Sequence, residues 1–307
     1  MSAGRRVLTL LALLLGLETA RSATLTLPAM PPVTARDTLL IVAPHPDDES
    51  LCCGGLIHMA RQAGARVAIV WVTDGDGSRW DAMLTRHALF PGTGTYQSLG
   101  RTRADEARGA ARTLEVDPAS LYFLGYPDRG VLPLLDHYYE PPAPWRSRFT
   151  GARRVIYPDA FEPGAPYAGH SLVRNFEAIL ERVHPTLVFA PSPKDAHPDH
   201  SGTGLMVARV LAERGESPEL RYWIVHGGPG WPARGFEPGA PQTIAPRGVG
   251  LQWEELHLDA DTVQVKLQAI SAHQSQMRVM GRTMRRYVRS TELYAVADSP
   301  GLKRPPP

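Results

Sequence analysis

Short apolar runs recur along this chain, and each one stops at a cluster of Gly, Pro, Asp or Thr. After a Pro-rich lead (Pro28 to Pro32), Thr38–Ala43 reads as a first strand. A helix follows from about Glu49 to Gln62 and stops at Gly64, a residue suited to the C-terminal end of a helix. The β-branched stretch from Ala65 to Val72 is a second strand, ended by Thr73-Asp74-Gly75-Asp76-Gly77. Strand, helix and strand in so short a span make a βαβ unit with parallel strands and a right-handed crossover. Helical spacing of Ala104, Ala107, Ala110, Ala111 and Leu114 predicts a helix over 102–114, and 120–124 is a third strand. A helix over 171–182, a strand over 185–191, a helix over 202–214 and a strand over 221–225 continue the alternation. Residues 253–258 form an edge strand and 261–275 a C-terminal helix. The pattern predicts an α/β fold: a Rossmann-like three-layer sandwich with a mostly parallel sheet and helices on both faces. The active site of such a sheet belongs at the carboxyl ends of the strands. Three segments, 78–100, 127–169 and 226–250, lack periodicity and are expected to be long loops framing that edge. No linker divides the chain, so 23–307 is expected to be one domain.

Composition narrows the function classes. The chain has 307 residues, of which 43% are hydrophobic and 21% charged, enough for an ordinary core. A formal net charge of only +2, with no long charged block, points to neither nucleic acid nor a membrane surface as partner. The locally basic stretch 280–290 is expected to be a solvated helix face. Residues 1–22 resemble an export signal: Arg5 and Arg6, an apolar run from Val7 to Leu17, then small residues around Ala20-Arg21-Ser22. Export to the periplasm or outside the cell is therefore expected, an uncleaved anchor being the alternative. The two cysteines are the neighbours Cys52 and Cys53, expected to be separate packing residues and not a bridge.

Two polar clusters stand out against the apolar runs. Pro44-His45-Pro46-Asp47-Asp48-Glu49 ends the first strand, and His197-Pro198-Asp199-His200 ends the fourth. Either one alone also suits a helix cap. Together they supply the three His/Asp ligands that a zinc ion with an open coordination place requires: His45, Asp48 and His200. Ferrous iron suits the same donors. Asp47 is then free to act as general base on water, and His197 to hold an oxyanion or protonate a leaving amine. Asp199 is placed to orient a ligating histidine, and Glu49 to stabilise the first helical turn or to back up the site.

These residues resemble the PIG-L/LmbE-like family of zinc-dependent N-acetylglucosamine deacetylases. Its motifs stand here as Pro44 to Glu49 and His197 to His200, with weaker matches at Thr73-Asp74-Gly75, Arg103 to Glu106, Leu124 to Asp128, and Lys266 with His273 to Gln276. The resemblance implies His45, Asp48 and His200 as zinc ligands, Asp47 as base and His197 as acid or oxyanion stabiliser. It adds Arg103, Asp128 and His273 as substrate contacts. Against these stand a helix-surface pair between Arg103 and Glu106, a turn cap at Asp128 and simple packing of His273. Trp80, Trp145, Tyr157, Tyr167 and Trp231, in the long segments, either stack on sugar faces or pack the loops.

The expected reaction is hydrolysis of an N-acetyl amide on an N-acetylglucosamine-type sugar or glycoconjugate, releasing acetate and a free amine. Rival readings are another metal-dependent amidohydrolase or a phosphoesterase, or a non-catalytic glycan-binding module on the same fold.

Overall fold

The computed structural model describes residues 27–85, 89–140, 142–215 and 218–297. Residues 1–22, expected to be an export signal, lie outside them, as does the C-terminal end. Seven strands form one sheet: β1 (Thr38–Ala43), β2 (Arg66–Thr73), β3 (Leu121–Tyr126), β4 (Leu187–Pro191), β5 (Glu219–Trp223), β6 (Trp253–His257) and β7 (Thr291–Val296). Their spatial order is β3-β2-β1-β4-β5-β7-β6. The first five are mutually parallel, and β7 runs antiparallel to both β5 and β6.

Alternation along β1 builds two cores. Leu40 and Val42 face a layer that includes α5 (Gly169–Val183) and α6 (Pro198–Arg214). Leu39, Ile41 and Ala43 face α1 (Asp48–Gln62), α3 (Thr93–Thr113) and α7 (Ala260–Ala272). Both faces of the sheet are covered, which explains why β1 and β2 are apolar almost throughout rather than alternating with polar residues. The strand order reverses direction between β1 and β4, so the loops after these two strands diverge at the carboxyl edge and leave a crevice. His45 and His200 both belong to that crevice.

The segments without periodicity contain more structure than expected. Residues 78–100 hold α2 (Arg79–Thr85) and the first two turns of α3, which begins at Thr93 rather than near Thr102. Gly94 and Gly100 disguised that start. At Gly100 a Cβ would collide with the Tyr157 hydroxyl, so the glycine serves helix packing and does not mark a break. A short α4 (Val131–Asp136) lies in the next segment. Tyr157 and Tyr167, weighed as sugar-stacking residues, are buried in the core, whereas Trp80 is 66% exposed. After α7 the chain turns at His273 into α8 (Gln274–Met284) and then β7, which the sequence pattern did not predict. β7 carries a buried charge, Glu292, in the middle of its apolar run, and that residue breaks the strand signature. On the basic stretch Arg282 and Arg285 are exposed, as expected, but Arg289 is buried and donates to the carbonyls of Ala233 and Gly235.

The cysteine expectation needs correction. Cys52 and Cys53 are bonded to each other as a vicinal disulfide, their Cα atoms 3.8 Å apart on consecutive residues of α1. No helix among the described residues is long and apolar enough to cross a membrane.

Candidate metal centre

The loop after β1 is held in an unusual shape. Asp47, the N-cap of α1, has φ 125° and ψ −31°, in a region that L side chains seldom occupy. Glu49 stabilises that shape, because its Oε2 accepts the Asp47 N–H at 3.0 Å. The same carboxylate accepts from Trp71 Nε1 and Ser50 Oγ, both at 2.8 Å, and meets His273 Nε2 at 2.8 Å. His273 is fully enclosed, so it buttresses Glu49 and has no opening toward a substrate. Glu49 thus carries more than a helix-end charge: it fixes the backbone of the proposed base.

Three donor atoms converge in the crevice. His45 Nδ1 lies 3.2 Å from Asp48 Oδ2, His200 Nε2 lies 3.2 Å from the same oxygen, and the two nitrogens are 3.3 Å apart. The edges of a tetrahedral zinc site with bonds of 2.0–2.1 Å measure about 3.3 Å, so the triangle has the size of one face of such a site. Tautomers lead to the same conclusion. His45 Nε2 faces Asp199 Oδ2 at 3.1 Å, and His200 Nδ1 faces Asp195 Oδ2 at 3.3 Å. A proton on each of those outer nitrogens satisfies the outer carboxylates and leaves the two inner nitrogens with lone pairs. Two lone pairs and a carboxylate oxygen pointing at one spot require a cation. The donor set therefore fits a zinc or ferrous ion.

Electrostatics favour positive charge at the same spot, which protons on the imidazoles supply and a bound cation would supply in their place. Burial opposes a charge on His200, but Asp48 and Asp195 outweigh it and hold its pKa up at about 10. Burial likewise opposes charge on His45, and its hydrogen bonds to Asp199 and Asp48 prevail. Asp48 is pushed up by burial yet held well below the usual carboxylate range by His200 and His45. Asp47 differs: burial lifts it to about 7 against the pull of Arg103. His197 is lowered to about 3 by burial and by the neighbouring His45 and His200, so it is neutral. Its Nδ1 accepts the Asp199 N–H at 3.3 Å, which leaves its proton on Nε2.

Arg103 is buried and reaches across from α3. It donates to Pro46 O at 2.6 Å and Gly75 O at 2.8 Å, and its Nη2 lies 3.3 Å from Asp47 Oδ2. The surface pair with Glu106 does not form; Glu106 accepts from the Ser275 N–H and hydroxyl instead. Asp128 accepts the Gly77 N–H at 2.9 Å, and its Oδ1 is 3.9 Å from His45 Nε2, at the edge of the centre. Asp199 also accepts the N–H groups of Arg129 and Val131, tying the loop after β3 to the His45 ring.

Two residues escaped the sequence reading. Asp195 sits under His200 and accepts the N–H groups of Val225 and His226 at 2.9 Å each. His226, just beyond β5, has its ring 4.6 Å from that of His200 and 5.2 Å from that of His197. His226 is exposed at its surface yet crowded by protein atoms, and that partial desolvation and the charge of His200 lower its pKa to about 4. The available signal was its place: a histidine that ends an apolar run at the same sheet edge as the other two motifs.

A sequence model described as "PIG-L: GlcNAc-PI de-N-acetylase" matches residues 40–211, from β1 through most of α6. The chain belongs to the PIG-L family. The matched stretch contains both strand-end motifs, Arg103 and Asp128. The 1D-myo-inositol 2-acetamido-2-deoxy-alpha-D-glucopyranoside deacetylase of Nocardia farcinica is 30% identical over 203 residues, 62% of this chain and 58% of that protein. The chain thus spans a little over half the length of that relative. A probable N-acetyl-alpha-D-glucosaminyl L-malate deacetylase 2 of Bacillus anthracis is 28% identical over 239 residues, 78% of this chain and 80% of its own. Among solved structures, N,N'-diacetylchitobiose deacetylase from Pyrococcus horikoshii superposes with a TM-score of 0.52 at 19% identity, covering 85% of this chain and 83% of that one. The A40926 pseudoaglycone deacetylase gives 0.53 at 19% identity, over 85% and 96%. At these identities the superpositions show a shared PIG-L α/β fold.

Proposed function

We propose that this PIG-L chain is a metal-dependent N-deacetylase that removes the acetyl group from an N-acetylglucosamine-type sugar or glycoconjugate. The observation that carries this reading is the His45–Asp48–His200 triangle with Asp47 beside it. A binding module gains nothing from a buried carboxylate held near neutrality, whereas a hydrolase uses it as a base. The named relatives, deacetylases of acetamido sugars, support the substrate class.

His45, Asp48 and His200 would hold a zinc or ferrous ion. When bound, that ion supplies Lewis acidity, polarising the amide carbonyl and acidifying the attacking water. Asp47 takes the proton from the water as its oxygen adds to the carbonyl carbon. Arg103 holds Asp47 in place and offsets its charge. His197, neutral with its proton on Nε2, donates a hydrogen bond to the oxygen that becomes negative. The proton taken by Asp47 then passes to the departing nitrogen, so that the C–N bond breaks with release of acetate and amine. Asp199 and Asp195 keep the two ligating imidazoles in the required tautomers.

The test is release of free amine and acetate from N-acetylglucosamine, N,N'-diacetylchitobiose and N-acetylated glycoconjugates, with and without chelator. Chelator-sensitive release, restored by zinc or ferrous iron, is the expected result; no release from any of them overturns the reading. We further propose export guided by residues 1–22, so that the substrate is an envelope or extracellular glycan. N-terminal sequencing of the protein recovered from cell fractions tests this.

A further inference from the structure

The polar groups of the crevice form a connected series of neighbours. At one end Asp128 Oδ1 is 3.9 Å from His45 Nε2; the rings of His45 and His200 follow, 5.2 Å apart; His226 stands beyond His200 at 4.6 Å. Asp128 thus neighbours one ring of the metal triangle, His45, and His226 neighbours the other, His200. His226 is fixed through its backbone. Its N–H donates to Asp195 Oδ2 at 2.9 Å, and its carbonyl accepts the Ala196 N–H at 3.0 Å. Both bonds tie it to the loop that carries His197 and His200. The chain leaves the site at once, because a Cβ on Gly227 would lie 2.5 Å from Trp231 and from Ala245. His226 is thus the last side chain that this strand end presents to the crevice. In contrast to its backbone, its ring makes no hydrogen bond to any described residue, and the residue is exposed. A neutral imidazole carries one donor and one acceptor, and here both are open to a ligand while the main chain is immobile.

We propose that His226 is a substrate-contacting residue that exchanges a hydrogen bond with a sugar hydroxyl beside the His200 edge of the metal triangle. The inference rests on the deacetylase reading and deepens it: His226 selects for a hydroxylated ring over a bare N-acetyl amide. The uncharged hydrogen bond it would make corresponds to a loss of about tenfold when removed.

The experiment compares metal-loaded wild type with H226A and H226Q. Steady-state kinetics with N,N'-diacetylchitobiose are set beside bound-metal content and the inhibition constant of acetohydroxamate, which reaches the metal without a sugar. H226A is expected to raise KM for the sugar about tenfold with a smaller change in kcat, and H226Q to recover part of the loss. Metal content and acetohydroxamate inhibition should stay at wild-type values. Loss of metal, or equal weakening toward acetohydroxamate, overturns the assignment in favour of a ligand or structural role. Wild-type kinetics in H226A overturn it outright. A wild-type protein with no activity on any N-acetylated sugar overturns the deacetylase reading itself, a result distinct from active wild type with indifferent variants.

Discussion

Two knots of buried charge grip α1, one at its start and one two turns along, and they are finished differently. Glu292 meets the second: its Oε1 accepts from the Gly55 N–H at 2.8 Å and Lys266 Nζ at 2.6 Å, its Oε2 from the Leu56 N–H at 2.8 Å and Tyr294 Oη at 2.7 Å. Four donors surround one carboxylate, and the protein supplies the countercharge. At the first knot Asp48 Oδ2 accepts one N–H, from His45 at 3.0 Å, and otherwise faces two imidazole nitrogens whose protons are engaged elsewhere. Burial is alike in both. A carboxylate closed by the protein's own donors holds elements together; a carboxylate that shares its space with other lone pairs awaits an ion. The unmet demand, rather than the burial, marks the site.

Substitutions should separate the two knots. Asp48→Ala removes a corner of the triangle, and both bound zinc, by metal analysis, and amine release should fall to background while the fold, by circular dichroism, persists. Asp47→Asn should keep the metal and lose about 10²–10⁴-fold in kcat, since only proton transfer is removed. At the closed knot the effect is on stability instead. Glu292→Ala strands Lys266 in the core and should cost about 3–5 kcal/mol in chemical denaturation, whereas a Lys266→Met, Glu292→Gln pair should lose less.

The smallest effect concerns Asp76, a buried acid outside both knots that burial and the charge of Asp128 raise to about 7. Its ordinary value is 3.8, so between about pH 4 and 7 the folded chain keeps a proton that the unfolded chain releases. Stability should therefore fall as pH rises through that window and level off above it. Asp76→Asn, which still accepts the Tyr157 hydroxyl, should flatten the slope in denaturation measured across this range.

The two knots also differ in how far the sequence disclosed them. His45, Asp47, Asp48, His197 and His200 announce themselves because each motif is contiguous and sits at a strand end. The parallel half of the sheet was legible for a similar reason, since strands buried on both faces are continuous apolar runs. Lys266 and Glu292 pair across 26 residues, and nothing local to either predicts the other. The same charge hid β7. His273 stayed open between substrate contact and packing because a linear motif gives proximity to the site but not that the ring is enclosed against Glu49. Arg103 was ambiguous for the opposite reason: its helix spacing suited Glu106, and only the fold shows that Gly75 and Pro46 lie closer. His226 and Asp195 are paired through backbone N–H groups, which no residue pattern records.

The left-handed backbone of Asp47 has a consequence for stability. A residue other than glycine at such a φ costs on the order of 1–3 kcal/mol, here at the proposed base. Asp47→Gly relieves that strain but strands the buried Arg103 guanidinium, a loss of about 3–5 kcal/mol that outweighs the gain, so its Tm by calorimetry should fall. The proposed base thus sits in a strained backbone shape that its ion pair with Arg103 helps to hold.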